Sequence, residues 1–231
     1  MALTLDAFLS EYYFLLFCAM ALSVSVYTYR WYYHSVLKYL PILIGYTFLT
    51  EILGVIIFEF ENIQIVLRDG YSNYNNLIYN VFDILFFLYF YYIFWKTFTD
   101  RKMKSIVLIG GLLFILTSLI NPFFQDFILY AQLWASSIGS LVLITCILLF
   151  YTQTKTSTSK NNKFSVLLRW ISLGLLVFYI FYPIILIIGH LDYSLYQELH
   201  IRQLQHFLIA VMYLGFIVGF LRMRRYPTKN I

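Results

Sequence analysis

YLPILIGYTFLTEILGVIIF, residues 39–58, decides the fold. The run carries a single charged side chain, Glu51. As a helix it is long enough to cross the ~30 Å hydrocarbon core of a bilayer, which takes ~20 residues. Pro41 falls in the first turn, where a helix tolerates proline because that position needs no backbone donor. Working outward, the chain holds further runs of this kind, and spans are expected at about 8–29, 39–58, 76–96, 105–122, 127–151, 168–190 and 200–221. Asn121-Pro122 closes the fourth, since proline lacks the N–H that a continuing helix needs. None of the runs alternates apolar and polar residues, so helices rather than barrel strands satisfy the backbone in lipid. The expected fold class is an all-α integral membrane protein. It is a bundle of seven transmembrane helices filling 1–231 as a single domain, with no soluble domain.

Composition points the same way. Of 231 residues, 61% are hydrophobic and 12% charged, and the mean hydropathy is +0.77. A soluble chain is closer to ~25% charged. The opening MALTLDAFLSEYY has no basic stretch and no small-residue cleavage site, so the first run reads as a retained span. Cys18 and Cys146 both sit inside apolar runs and read as small packing residues. Residues 152–163, TQTKTSTSKNNK, read as a flexible loop.

Basic residues sort by side. Of the 16 Lys and Arg, only Arg68 and Arg202 fall in segments that face outward when the N-terminus is outside. Acids mirror this: Asp100 alone lies on the basic side, while Asp6, Glu11, Glu59, Glu61, Asp69, Asp126, Asp192 and Glu198 lie on the other. The positive-inside rule then sets the N-terminus outside and the C-terminus in the cytoplasm. The net charge of +5 is accounted for by topology and calls for no nucleic acid. The tail RMRRYPTKNI suits contact with anionic headgroups.

Glu51 and Asp83 remain, both inside spans. At ~1.5 Å per residue each lies ~10 Å below the outer end of its helix. Asn76, Asn80 and Asp83 are spaced i, i+4, i+7 and share a helix face. Gln203 and His206 share a face of the last span at ~5 and ~9 Å depth. The fifth span adds Gln132, Trp134 and Ser136, and the sixth adds Tyr179, Tyr182 and Pro183. A charge inside a span costs ~2.5–3.5 kcal/mol on insertion scales, so such groups face a bundle interior or a watery cavity. One outward-opening polar cavity walled by spans 2, 3, 5, 6 and 7 is therefore expected. Glu51 would point into it, paired with His206 or hydrogen-bonded to Asn80. The bland alternative is that Asn76, Asn80 and Gln132 bridge helices at ~0.6 kcal/mol each.

No HExxH, phosphate loop or GxSxG elbow occurs. His200 and His206, six apart on the last span, do not make the HxxxH of seven-helix zinc hydrolases. A metal bound by Glu51, Asp83 and His206 is chemically open, and no cofactor is expected. GFIVG, 215–219, matches the small-residue pattern of close helix packing.

YTFLTEILG (46–54), NLIYNVFDILFFLYFYYIF (76–94) and RWISLGLLVFYIFYPIILI (169–187) together resemble a family of small bacterial inner-membrane proteins with seven predicted spans and no assigned function. The positions that carry the resemblance are Glu51, Asn80, Trp170, Gly174 and Tyr179. It implies the bacterial cytoplasmic membrane and names no substrate.

The functional expectation is a receptor-like or sensory membrane protein whose outer pocket binds a small ligand or protons. The candidate binding residues are Glu51, Asn80, Asp83, Gln132, Trp134, Tyr179, Gln203 and His206. Its partners would be the lipid bilayer, a ligand from the outer side and a cytoplasmic or membrane signalling partner. The alternative is a membrane-embedded enzyme acting on a lipid or isoprenoid head group with the same acids.

Overall fold

A computed structural model describes residues 11–59, 76–156 and 163–225. Among these the chain is all-helical. The α-helices are α1 (Tyr13–Thr28), α2 (Leu40–Glu59), α3 (Asn76–Thr97), α4 (Arg101–Ile120), α5 (Leu133–Thr156), α6 (Lys163–Leu191), α7 (Tyr193–Glu198) and α8 (Ile201–Met223). All but α7 are long and apolar enough to cross a membrane, which makes 7 candidate spans and fits a multi-pass membrane protein. The expectations for 60–75 and 157–162 lie outside the described residues.

Helix starts depart from the hydropathy reading where polar residues set them. The fourth helix begins at Arg101 rather than near 105, because the Asp100 side chain accepts from the Lys102 N–H at 2.9 Å and caps it. The fifth begins at Leu133 rather than near 127, because 127–132 is irregular backbone held by side chains described below. Helix α6 starts at Lys163, not near 168, and continues through Pro183. The short α7 escaped the sequence reading. Its cap is Asp192, which accepts from the Leu195 N–H at 3.0 Å.

The chain divides into two compact units, and the division falls inside α2 and α5. Unit 1 holds 1–45 and 150–231; unit 2 holds 46–149. In unit 1, α8 packs against both α6 and α1. A Cβ on Gly174 of α6 would lie 2.6 Å from the Met212 carbonyl oxygen. One on Gly215 would lie 3.2 Å from the Gly174 Cα, and one on Gly219 2.9 Å from the Trp170 Cβ. The GFIVG pattern therefore serves contact within the chain, where missing side chains let two backbones approach. Trp170 and Gly174, two of the residues carrying the family resemblance, are packing positions of this contact. On the α1 side, Tyr32 and Phe220 meet at a ring distance of 5.5 Å. Tyr32 donates its hydroxyl to the Ser25 carbonyl at 2.9 Å, and burial pushes the phenol up, so it stays a donor.

In unit 2, α3 supplies an aromatic core. Phe87, Tyr91 and Phe114 cluster edge-on and stacked, with Phe87–Phe114 centroids 5.1 Å apart. Gly139 of α5 admits these rings: its Cβ would meet Phe87 at 2.7 Å and Phe114 at 3.0 Å. The Tyr91 hydroxyl donates to the Gly139 carbonyl at 2.7 Å.

Candidate functional site

The polar residues expected at one level divide between the units. Glu51, Asn80, Asp83, Gln132 and Trp134 belong to unit 2, while Tyr179, Gln203 and His206 belong to unit 1. Each set is organised within its own unit.

Two of the unit 2 set, Asn80 and Gln132, hold backbone. The Asn80 amide donates to the carbonyls of Phe127 and Tyr130, at 2.8 and 2.9 Å, and its oxygen accepts from the Gln132 N–H at 3.2 Å. Asn76 donates to the Leu129 carbonyl at 2.6 Å. Gln132, expected inside a span, precedes α5. Its amide donates to the Gln125 and Tyr130 carbonyls, and its oxygen accepts from Asn121 at 2.6 Å. Asn121 also donates to Gln125 at 3.0 Å. Within the segment 121–132 the polar side chains of Asn121, Gln125 and Gln132 are buried, and the backbone groups turned toward them and toward α3 are paired, as buried backbone groups must be. Asn80, one of the two partners expected for Glu51, instead bonds this segment.

Asp83 is different. It is buried, and its carboxylate accepts from the Ser136 hydroxyl at 2.8 Å. Ser136 is held in turn, because its carbonyl accepts from Ser140 at 2.7 Å. A small cavity opens beside this pair, lined by Asn80, Asp83, Ile84, Phe114, Ser118, Phe127, Gln132, Ala135 and Ser136. It has room for about one water molecule and is too small for an organic ligand. Asp83 is the one ionisable group in that lining, which contains no Lys, Arg or His.

Glu51 does not line this cavity. It is half-buried and accepts from the Tyr79 hydroxyl at 3.1 Å. Gly54, one turn on, makes room for that phenol: a Cβ there would collide with the Tyr79 hydroxyl. Tyr79 was missed in the sequence because tyrosine at a helix end reads as part of the interfacial aromatic belt. The available signal was the glycine three residues after the acid. Asn121 and Gln125 were also missed as partners, and Ser118 as a lining residue, since the proline at 122 was read only as a terminator.

Three expected site residues lie elsewhere. Trp134 is 61% exposed and stays out of the cavity. Gln203 is exposed. Tyr179 is buried edge-on between Phe178 and Tyr182 at 5.0 and 5.7 Å. His206 has a setting of its own. Its Nδ1 lies 3.0 Å from the Glu11 carbonyl, to which it donates, and its ring stacks on Phe14 at 4.4 Å. Beside it, Arg202 pairs with the Glu11 carboxylate at 3.3 Å and donates to the Tyr12 hydroxyl at 3.1 Å. His206 thus fastens the start of α1 to α8. Among the described residues, no three His, Cys, Asp or Glu side chains gather closely enough to hold a metal ion. The set Glu51, Asp83 and His206 is not such a group.

Compared with protein families, curated proteins and solved structures, the chain matches none.

Proposed function

We propose that this chain is a seven-span, receptor-like membrane protein that responds to protons through Asp83. Its N-terminus is outside and its C-terminus cytoplasmic, on the distribution of basic residues. On the family resemblance its membrane is the bacterial cytoplasmic one, and it would act through a signalling partner at the basic face. The observation that carries the reading is the Asp83–Ser136 pair beside a cavity of single-water size. A space of that size favours a proton over the other ligands the sequence allowed. Ionised, Asp83 accepts from Ser136; protonated, it becomes a donor as well. Glu51 with Tyr79 is a further carboxyl–hydroxyl pair among the described residues of the unit and can also take part.

The test is thermal unfolding of the purified chain between pH 5 and 8. A charge at membrane depth is costly, so protonation should raise the melting temperature as pH falls. Asp83→Asn is neutral at every pH and should reduce that dependence, and Glu51→Gln should remove only the part that its own carboxyl contributes. Superimposable wild-type and Asp83→Asn profiles would refute the proposal.

A further inference from the structure

Three arginines at one end of unit 1 lie on aromatic rings. Arg30 at the end of α1 places its guanidinium 4.5 Å from the Trp31 ring centroid. Arg224, just past α8, lies 4.6 Å from the same ring and 5.5 Å from Tyr27. Arg222 lies 4.7 Å from Trp170 of α6. Stacking engages the face of a guanidinium and leaves its in-plane N–H donors unspent. Among the described residues, no ion pair or hydrogen bond takes up the side chains of Arg30, Arg222 or Arg224, and all three are exposed. The described carboxylates of unit 1 are Glu11, Asp192 and Glu198, at the start of α1 and around α7, at the other ends of these helices.

So two guanidiniums are held on one indole with their edges open and no acid of their own. Fixed forks of this kind match an oxygen-rich anion, which they can bind in bidentate fashion. The ligand's source follows from what lies beneath. Along α1, Met20, Val26 and Tyr27 are 46%, 59% and 63% exposed, a run of apolar surface leading up to Arg30. Leu221 beside Arg222 adds another exposed apolar group. A lipid satisfies both parts, its phosphate on the arginines and its acyl chains on that wall. We infer that Arg30, Arg224 and Trp31, flanked by Arg222 on Trp170, form a headgroup site for an anionic phospholipid of the leaflet at this end. The site is separate from Asp83 and stands without the proton reading.

Native mass spectrometry of the full chain, released from mixed micelles of phosphatidylglycerol and phosphatidylcholine, tests this. Wild type should retain phosphatidylglycerol preferentially. Arg30→Gln with Arg224→Gln should lower the retention ratio about 25-fold, roughly fivefold per guanidinium. Arg101→Gln with Lys102→Gln removes the same charge but no ring-held guanidinium, so a built site predicts a ratio within about twofold of wild type. A fall as large as that of the Arg30 and Arg224 pair would mean general surface charge and overturn the site. If the glutamine pair fails to fold, Arg30→Lys with Arg224→Lys decides: charge is kept and the fork is lost, so a clear fall in the ratio supports the site. An unchanged ratio in either folded double variant overturns it. So does inorganic phosphate, without phosphatidylglycerol, protecting the wild type against heat as well as the lipid does, since that would mark a site for a free anion.

Discussion

Asn80 and Asp83 sit less than one helical turn apart, yet they do different work. Asn80 satisfies three backbone groups of 127–132. Removing it leaves the part-buried Phe127 carbonyl and the buried Gln132 N–H without that partner, while the Tyr130 carbonyl keeps Gln132, and each lost partner costs about 1–3 kcal/mol. Asn80→Ala should therefore destabilise the protein by roughly 2–6 kcal/mol on that scale, read as a lowered midpoint in thermal unfolding. Thr117→Val is the control: its hydroxyl bonds its own helix at the exposed Leu113 carbonyl, and the midpoint should barely move. Equal shifts in the two variants would contradict the accounting. The sequence made both Asn80 and Asp83 visible, because polar groups in an apolar run are conspicuous. It could not say which was structural, since that depends on where 127–132 passes, and the hydropathy of that segment reads as helix. Tyr79 poses the reverse problem: its type was ordinary and its partner decided its role. Gly54→Ala should push Tyr79 off Glu51. An environment-sensitive signal from Tyr79, such as ring NMR shifts, should then change in the way that Glu51→Gln changes it.

Helices α6 and α8 show how a glycine's meaning depends on what faces it. Gly174 has Met212 backbone where a Cβ would stand, and backbone cannot swing aside. Gly174→Ala must separate the helices and should cost about 1–3 kcal/mol, the range for overpacking. Gly45, inside α2, would place its Cβ 3.6 Å from the Leu22 Cδ1, an ordinary contact. Gly45→Ala should be neutral or stabilise by up to about 1 kcal/mol through helix propensity. Comparing the two unfolding midpoints checks both at once, and a Gly174→Ala variant as stable as Gly45→Ala would mean that the α6–α8 contact is looser than described. At this scale the seven long helices were legible, because a bilayer demands length and apolarity and both are written in composition. Their starts were less so. Asp100 caps α4 five residues before the apolar run begins, and Gln125 and Gln132 hold open the approach to α5. Capping and loop-holding are contacts, and hydropathy does not record contacts. Helix α7 is too short for any periodicity to reveal.

For the molecule as a whole, the division into units 46–149 and the remainder left no trace in composition, because apolar runs of like character fill both. Orientation, by contrast, is carried by sequence alone, through Lys and Arg that stay on the side where insertion leaves them. It is also open to a direct test, since the native cysteines are silent. Cys18 and Cys146 are both 0% exposed, so a membrane-impermeant maleimide should not modify the folded wild type. Phe123, in the turn after α4, is 86% exposed, and Lys102 opens the same helix at its basic end. With the N-terminus outside, α4 rises from the cytoplasm, which puts Phe123 outside and Lys102 inside. Phe123→Cys should therefore label in intact cells, and Lys102→Cys only after the membrane is opened. The reverse pattern would turn the protein over and move Asp83 to the cytoplasmic half. A response to protons would then report internal rather than external pH, and the anionic-lipid site at Arg30 and Arg224 would face the outer leaflet, so this one measurement sets the meaning of both proposals.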